Sequence, residues 1–374
     1  MQSNKSIYFS SLNGLRFFAI LMVLLEHWLP EFIKFPTGHL GVVLFFVLSG
    51  FLISRILFLH AEDLGNKTQT KVQKIVNFVA RRSLRIFPIY FLVIFFGIFF
   101  NIQPIRTIFP WFIFYLPNLY IILNQQWIGV WDHFWTLAVE EQYYLFFPFI
   151  VFSISTHHYP KLLIGMICLG FISRFSFFLY FSDEFVEENW FLNYVNPISA
   201  LDSFGLGGLL AYLHLYKKDT FDKIASDNFA LIFLIFLCFC NFFLDENSQF
   251  QHNNIYSSVF EISFFAYFSF FLVAKVSSET NYMLTKILMF KPLMYLGQIS
   301  YGLYVYHNFI YNYYHLENNT LWWYFLRKVP TEYQGMINFT PLLFLLNFLI
   351  LVVVASLSWY LIEKPINRLK NKFD

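Results

Sequence analysis

Residues 13–30, NGLRFFAILMVLLEHWLP, form an apolar run long enough to cross a bilayer, yet Arg16 lies near one end and Glu26 and His27 near the other. Ionisable groups inside a hydrocarbon-crossing helix are costly and persist where they face a cavity or a partner. Arg16 and His27 are eleven positions apart, so at 3.6 residues per turn they share one helix face, separated by roughly 16 Å along the axis. Two readings are open here. Arg16 snorkels to the inner surface and His27 bonds a neighbouring helix, or both face a polar cavity.

The remaining sequence has the same character. Of 374 residues, 58% are hydrophobic and only 13% charged, Phe alone contributes 53, and mean hydropathy is +0.54. A hydrocarbon core of about 30 Å takes roughly 20 apolar residues per helix, and runs of that length recur from Leu12 to Ile362. The fold class is therefore an all-α polytopic membrane protein, one membrane-embedded domain over residues 1–374 with no C-terminal soluble domain expected. The first apolar run lacks a following small-residue cleavage site and reads as a retained helix. Cys168, Cys238 and Cys240 all fall in apolar runs, which predicts neither disulfides nor a metal site.

Ten spanning helices are predicted, over residues 11–29, 39–59, 87–102, 134–155, 161–181, 197–216, 229–245, 256–275, 292–314 and 340–362. The apolar stretch 109–123 is short and interrupted by Pro110 and Pro117, so it reads as re-entrant or interfacial, a form tolerated at membrane depth where it is buried in protein. The formal net charge of +2 says little as a total, because the placement of Lys and Arg sets orientation. With the N-terminus inside, inner segments hold Lys71, Lys74, Arg81, Arg82, Arg85, Lys217, Lys218, Lys364 and Arg368, among others, whereas outer segments hold Lys34, Arg106, Arg327 and Lys328. Both termini are predicted cytoplasmic.

Further polar groups fall inside the apolar runs. In WDHFWTLAVEEQYYLFFP, Glu140 and Glu141 lie about two turns into a helix entering from the outer face. Either they sit among headgroups, or one faces His27 and fixes its tautomer, the orienting role an acid plays in a hydrolase triad. GVVLFFVLSGFLISRIL places Ser49 and Gly50 near mid-bilayer, as small-residue packing or as cavity lining. LGQISYGLYVYHNFI puts Ser300, Tyr304 and His307 on one face, a polar seam or a substrate wall. VARRSLRIFPIY sets Arg81, Arg82 and Arg85 at a cytosolic helix entrance with Pro88 in its first turn; these are topology anchors or a phosphate grip suited to the guanidinium fork.

These stretches, in this order and ending in SWYLIEKPINR, resemble the acyltransferase-3 family of integral-membrane O-acyltransferases across essentially the whole chain. Asn13 stands where the family's first motif usually begins with Asp. The resemblance implies transfer of an acetyl group from cytosolic acetyl-CoA, as donor substrate and without a metal, to a hydroxyl of an extracytoplasmic or lipid-linked glycan such as O-antigen, capsule or exopolysaccharide, in a bacterial cytoplasmic membrane. His27 would be the general base with Glu140 or Glu141 as its partner. Arg82 and Arg85 would hold the CoA phosphates and Arg16 would guide the donor. Ser49 and Gly50 would line the thioester path, and Ser300, Tyr304 and His307 would contact substrate. The expected partners are the glycan, membrane lipid and surface-polysaccharide assembly proteins, with no nucleic acid. Any extracytoplasmic esterase-like domain would be a separate protein. The alternative from another class is a proton-coupled transporter using the buried Arg, Glu and His groups as a relay, although no internal repeat is visible.

Overall fold

The computed structural model describes residues 9–33, 35–63, 69–180, 190–228, 232, 255–278, 282–315, 328, 330 and 340–373. Their regular structure is helical throughout, with no strand among the described residues. The helices are α1 Ser11–Trp28, α2 Thr37–Glu62, α3 Lys71–Phe99, α4 Ile105–Ile113, α5 Pro117–Asn124, α6 Phe134–Ser153, α7 Tyr159–Tyr180, α8 Trp190–Tyr194, α9 Leu201–Tyr216, α10 Lys218–Ser226, α11 Glu261–Ser277, α12 Tyr282–Leu288, α13 Lys291–Gln298, α14 Ser300–His315 and α15 Thr340–Ser358. Five segments are long and apolar enough to cross a membrane, namely Thr37–Glu62, Lys71–Phe99, Thr156–Tyr180, Tyr256–Ser277 and Pro341–Phe373. The expected span at 229–245 lies outside the described residues apart from Ile232.

α2 is the central post, packed most extensively on α9 and then on α1. Its contact with α9 is a backbone approach that only glycine allows: a Cβ on Gly207 would stand 2.1 Å from the Val47 carbonyl oxygen, and one on Gly50 2.4 Å from that of Phe204. Large apolar side chains such as Phe95, Phe99, Phe146, Phe149, Leu169 and Ile172 remain exposed on the perimeter, the inverse of a water-soluble surface and what hydrocarbon contact favours.

Two predicted elements differ from those observed. The helix expected to begin at residue 87 starts sixteen residues earlier. Thr70 accepts a hydrogen bond from the Gln73 amide and the Gln73 side chain accepts one from the Thr70 amide, a capping box that nucleates α3 at Lys71. Arg81, Arg82 and Arg85 are therefore inside a continuous helix, as is Pro88, and not in its first turn. The single helix expected over 292–314 is two, α13 and α14, interrupted at Ile299 beside the close approach of Gly297 to Asn13.

The stretch 109–123 breaks into α4 and α5 around Tyr115, whose φ of 55° is left-handed. The interruption is satisfied from α6: Gln142 Nε2 donates to the Tyr115 carbonyl at 2.9 Å and to Asn118 Oδ1 at 3.0 Å. The backbone polarity that a broken helix exposes is thus met by one amide side chain.

Candidate active site

Two chambers lie between α1, α2, α6 and α14. The first, about 100 Å³, is lined by Arg16 from α1, Ser49 from α2, Arg82 and Arg85 from α3, Glu140 from α6, and Ser300 and Tyr304 from α14. Arg16 Nη1 donates to Asn13 Oδ1 at 3.0 Å; because Asn is a neutral acceptor, this contact orients the guanidinium without cancelling its charge. Ser49 Oγ donates to Glu140 Oε1 at 2.8 Å and accepts from the Tyr144 hydroxyl at 3.0 Å. One carboxylate thus stands among three guanidinium groups in a narrow space.

The second chamber, about 330 Å³, is lined by Glu26 and His27 at the end of α1, His39 at the start of α2, Asp132 and His133 before α6, and Tyr194 of α8. Val42 and Tyr304 line both chambers and form the partition between them. Arg16 and His27 thus occupy one stripe of α1 that runs from the first chamber to the second.

The partner of His27 is another imidazole. His307 Nδ1 lies against the Tyr304 carbonyl, which can only accept, so that nitrogen carries the proton. Neutral His307 then presents an unprotonated Nε2, 3.0 Å from His27 Nδ1. The network assigns the His27 proton to Nδ1 and leaves the Nε2 lone pair available as a base. His133 packs against His307 with ring centroids 4.8 Å apart and donates from Nε2 to the Val305 carbonyl at 3.0 Å.

This arrangement corrects four placements. The carboxylate expected to orient His27 is replaced by His307, because the residue beside this pair is His133, just before α6, and Glu140 is seven residues, about 10 Å, further along the axis. Glu141 lines neither chamber, and its buried Oε1 has no hydrogen-bond partner among the described residues. Gly50 faces α9 rather than the chamber that its neighbour Ser49 lines. His307, expected on a substrate wall, stands behind His27.

Sequence reasoning marked Glu26 as ionisable without giving it a role, and passed over His39, Asp132 and His133. Glu26 Oε2 accepts from the Gly38 amide at 2.8 Å, the first turn of α2. His39 Nδ1 meets Glu261 Oε1 at 3.1 Å and its ring lies 4.4 Å from that of Tyr194. Asp132, in the loop before α6, accepts from the Ile128 amide, and burial pushes its carboxyl up to about 7. The available signal was that Glu26, His39, Asp132 and His133 cluster with His27 at one end of three apolar runs.

The model of the acyltransferase domain family matches residues 9–362, nearly the whole described bundle and both chambers. The chain belongs to this family. Among its relatives, the O-acetyltransferase OatA of Staphylococcus aureus strain NCTC 8325 is 28% identical over 385 residues, covering 96% of this chain and 57% of the relative. The peptidoglycan O-acetyltransferase OatA of Listeria monocytogenes serovar 1/2a is 28% identical over 324 residues, covering 80% and 49%. The chain therefore spans about half the length of these relatives. No solved structure matches it.

Proposed function

We propose that this acyltransferase-domain protein is a membrane O-acetyltransferase that takes acetyl from acetyl-CoA on the cytosolic side and delivers it to a glycan hydroxyl on the other. The observation that carries this reading is the pair of adjoining chambers, one with three guanidinium groups and one with an imidazole whose tautomer leaves a base, meeting at Val42 and Tyr304. The arginine-bearing end would face the cytosol, consistent with ten spans, cytoplasmic termini and residence in the bacterial cytoplasmic membrane. Arg82 and Arg85 would hold CoA phosphates, and Arg16 would steer the thioester toward the partition.

In this reading His27 Nε2 takes the proton of the acceptor hydroxyl as its oxygen attacks the thioester carbonyl. The C–O bond forms, the C–S bond breaks, and the CoA thiolate recovers the proton from the imidazolium. A positioned base contributes about 10²- to 10⁴-fold, and His307 stabilises the transient imidazolium through its Nε2. The apolar walls exclude bulk water, so the thioester meets the hydroxyl of the acceptor instead of hydrolysing. The relatives' printed names, O-acetyltransferase and peptidoglycan O-acetyltransferase, support transfer of acetyl and a glycan as acceptor.

The test is release of free CoA thiol from acetyl-CoA by the purified chain in the presence of a surface-glycan acceptor. Release by the wild type that is lost in His27→Ala supports the reading. A wild-type protein that releases none, or a His27→Ala protein that releases as much, overturns it.

A further inference from the structure

The second chamber differs from the first in the sign of its charges. The first holds Arg16, Arg82 and Arg85 against one carboxylate. Among the described residues lining the second there is no Lys or Arg; its ionisable groups are two acids, Glu26 and Asp132, and three histidines, with Glu261 behind His39. The lone pairs add to this asymmetry. His133 donates from Nε2 to the Val305 carbonyl, and its Nδ1 is buried out of reach of the chamber, beside the Val130 backbone. The acceptors that the chamber presents are His27 Nε2, by the tautomer argument, and the Glu26 carboxylate. Acceptors in such a space favour a ligand that brings donors. The surrounding rings of Trp135 and Tyr194, whose centroids are 4.7 Å apart, supply an apolar wall. At about 330 Å³ the space falls among small-ligand sites.

We propose that this chamber is the acceptor subsite and that it takes a sugar unit bearing no negative charge, held through its hydroxyl and amide N–H groups by Glu26 and His39. This rests on the acetyltransferase reading and adds the class of acceptor to it. A uronic acid or phosphate-substituted sugar would set its anion against Glu26 and Glu261 in a low-dielectric space with no Lys or Arg among the described lining residues to meet it. An uncharged hexose or N-acetylhexosamine presents the donors that the chamber's acceptors need, and one of its hydroxyls would lie against His27 Nε2.

The experiment compares cells carrying the full chain with cells lacking it and locates, by mass spectrometry of surface glycans, the sugar from which acetyl is lost. The expected result is loss from a sugar unit without negative charge. Loss from a uronic acid or phosphate-bearing unit overturns the proposal and leaves the acetyltransferase reading standing. No loss from any unit removes that reading and the proposal together. Glu26→Gln and His39→Gln, verified at wild-type abundance in the membrane, are expected to lower acetylation of that unit about tenfold, the scale of one lost hydrogen bond to a charged group, with an unchanged apparent KM for acetyl-CoA. Undiminished acetylation in both variants also overturns the proposal.

Discussion

His27 and His307, 280 positions apart in sequence, meet at 3.0 Å between Nδ1 and Nε2. The contact does what a carboxylate does elsewhere, fixing which nitrogen of the base carries the proton, but through a neutral group. The orienting partner is neutral, so it fixes the tautomer without setting a formal charge beside the base.

His307→Ala is accordingly expected to lower kcat about 10- to 100-fold, part of the full contribution of a general base, with little change in the KM for acetyl-CoA. His307→Gln keeps an acceptor within reach of His27 Nδ1 and should recover most of the loss. Steady-state kinetics with both variants separate orientation from bulk: equal losses in Ala and Gln would deny His307 a role through the tautomer.

Arg82 and Arg85 lie inside α3 and line the arginine-bearing chamber with Arg16. Charge-assisted hydrogen bonds contribute about 1.5–3 kcal/mol each. Replacing both arginines by alanine should therefore raise the apparent KM for acetyl-CoA about 100-fold or more while the KM for the acceptor stays within a factor of about two, 1.4 kcal/mol being tenfold. The measurement is a pair of titrations, one in each substrate, and an unchanged donor KM would return the two residues to the role of topology anchors.

Much of the first chamber was legible because charge inside an apolar run is its own signal. Arg16, Ser49, Arg82, Arg85, Glu140, Ser300 and Tyr304 come from five helices, and each stands out by polarity within an apolar run. Pairing was not legible. Glu140 and His27 were expected together because both are buried and polar, but a helix turns depth into sequence distance, and seven residues separate Glu140 from His133, which meets the His307 ring edge-on. The start of α3 was missed for a different reason: the Thr70-x-x-Gln73 cap stands in a polar stretch, where hydropathy is silent and only the capping chemistry marks the boundary. For Ser49 and Gly50, adjacency in sequence concealed opposite duties, since successive helical positions point about 100° apart and one faces the chamber while the other faces α9.

The α2–α9 crossing gives a prediction about stability alone. A leucine at position 207 would place its Cβ 2.1 Å from the Val47 carbonyl oxygen and 2.9 Å from the Gly50 carbonyl carbon, both backbone atoms that cannot step aside. Overpacking of this kind costs about 1–3 kcal/mol, and separating two helices should cost at the upper end. Thermal unfolding of Gly207→Leu in detergent should show a lowered Tm. Gly165, with nothing near its would-be Cβ, is the control, and Gly165→Leu should unfold close to wild type.

The last prediction concerns Arg174 of α7, fully buried and tied to Asp202 of α9 as an ion pair. Its guanidinium also donates to the carbonyls of Ser199 and Val259 and, at 2.6 Å, to Ser263 Oγ, while Asn193 donates to the Arg174 carbonyl at 3.2 Å and to that of Ser258 at 2.9 Å. One side chain therefore joins α7, α9 and α11. Neither member of the pair lines a chamber, so the pair should act on folding and leave the chemistry of the folded fraction intact. Removing one partner of a buried pair costs about 3–5 kcal/mol, because the other is left charged and unpaired. Arg174→Met and Asp202→Leu should each lower Tm strongly. The double variant should recover only part of the loss: the stranded charge is gone, but the carbonyls of Ser199 and Val259 still lack the donor that Arg174 supplied. A double-mutant cycle in Tm measures this directly. Additive losses would show that the two groups do not sense each other, and full recovery would show that the carbonyl contacts contribute nothing.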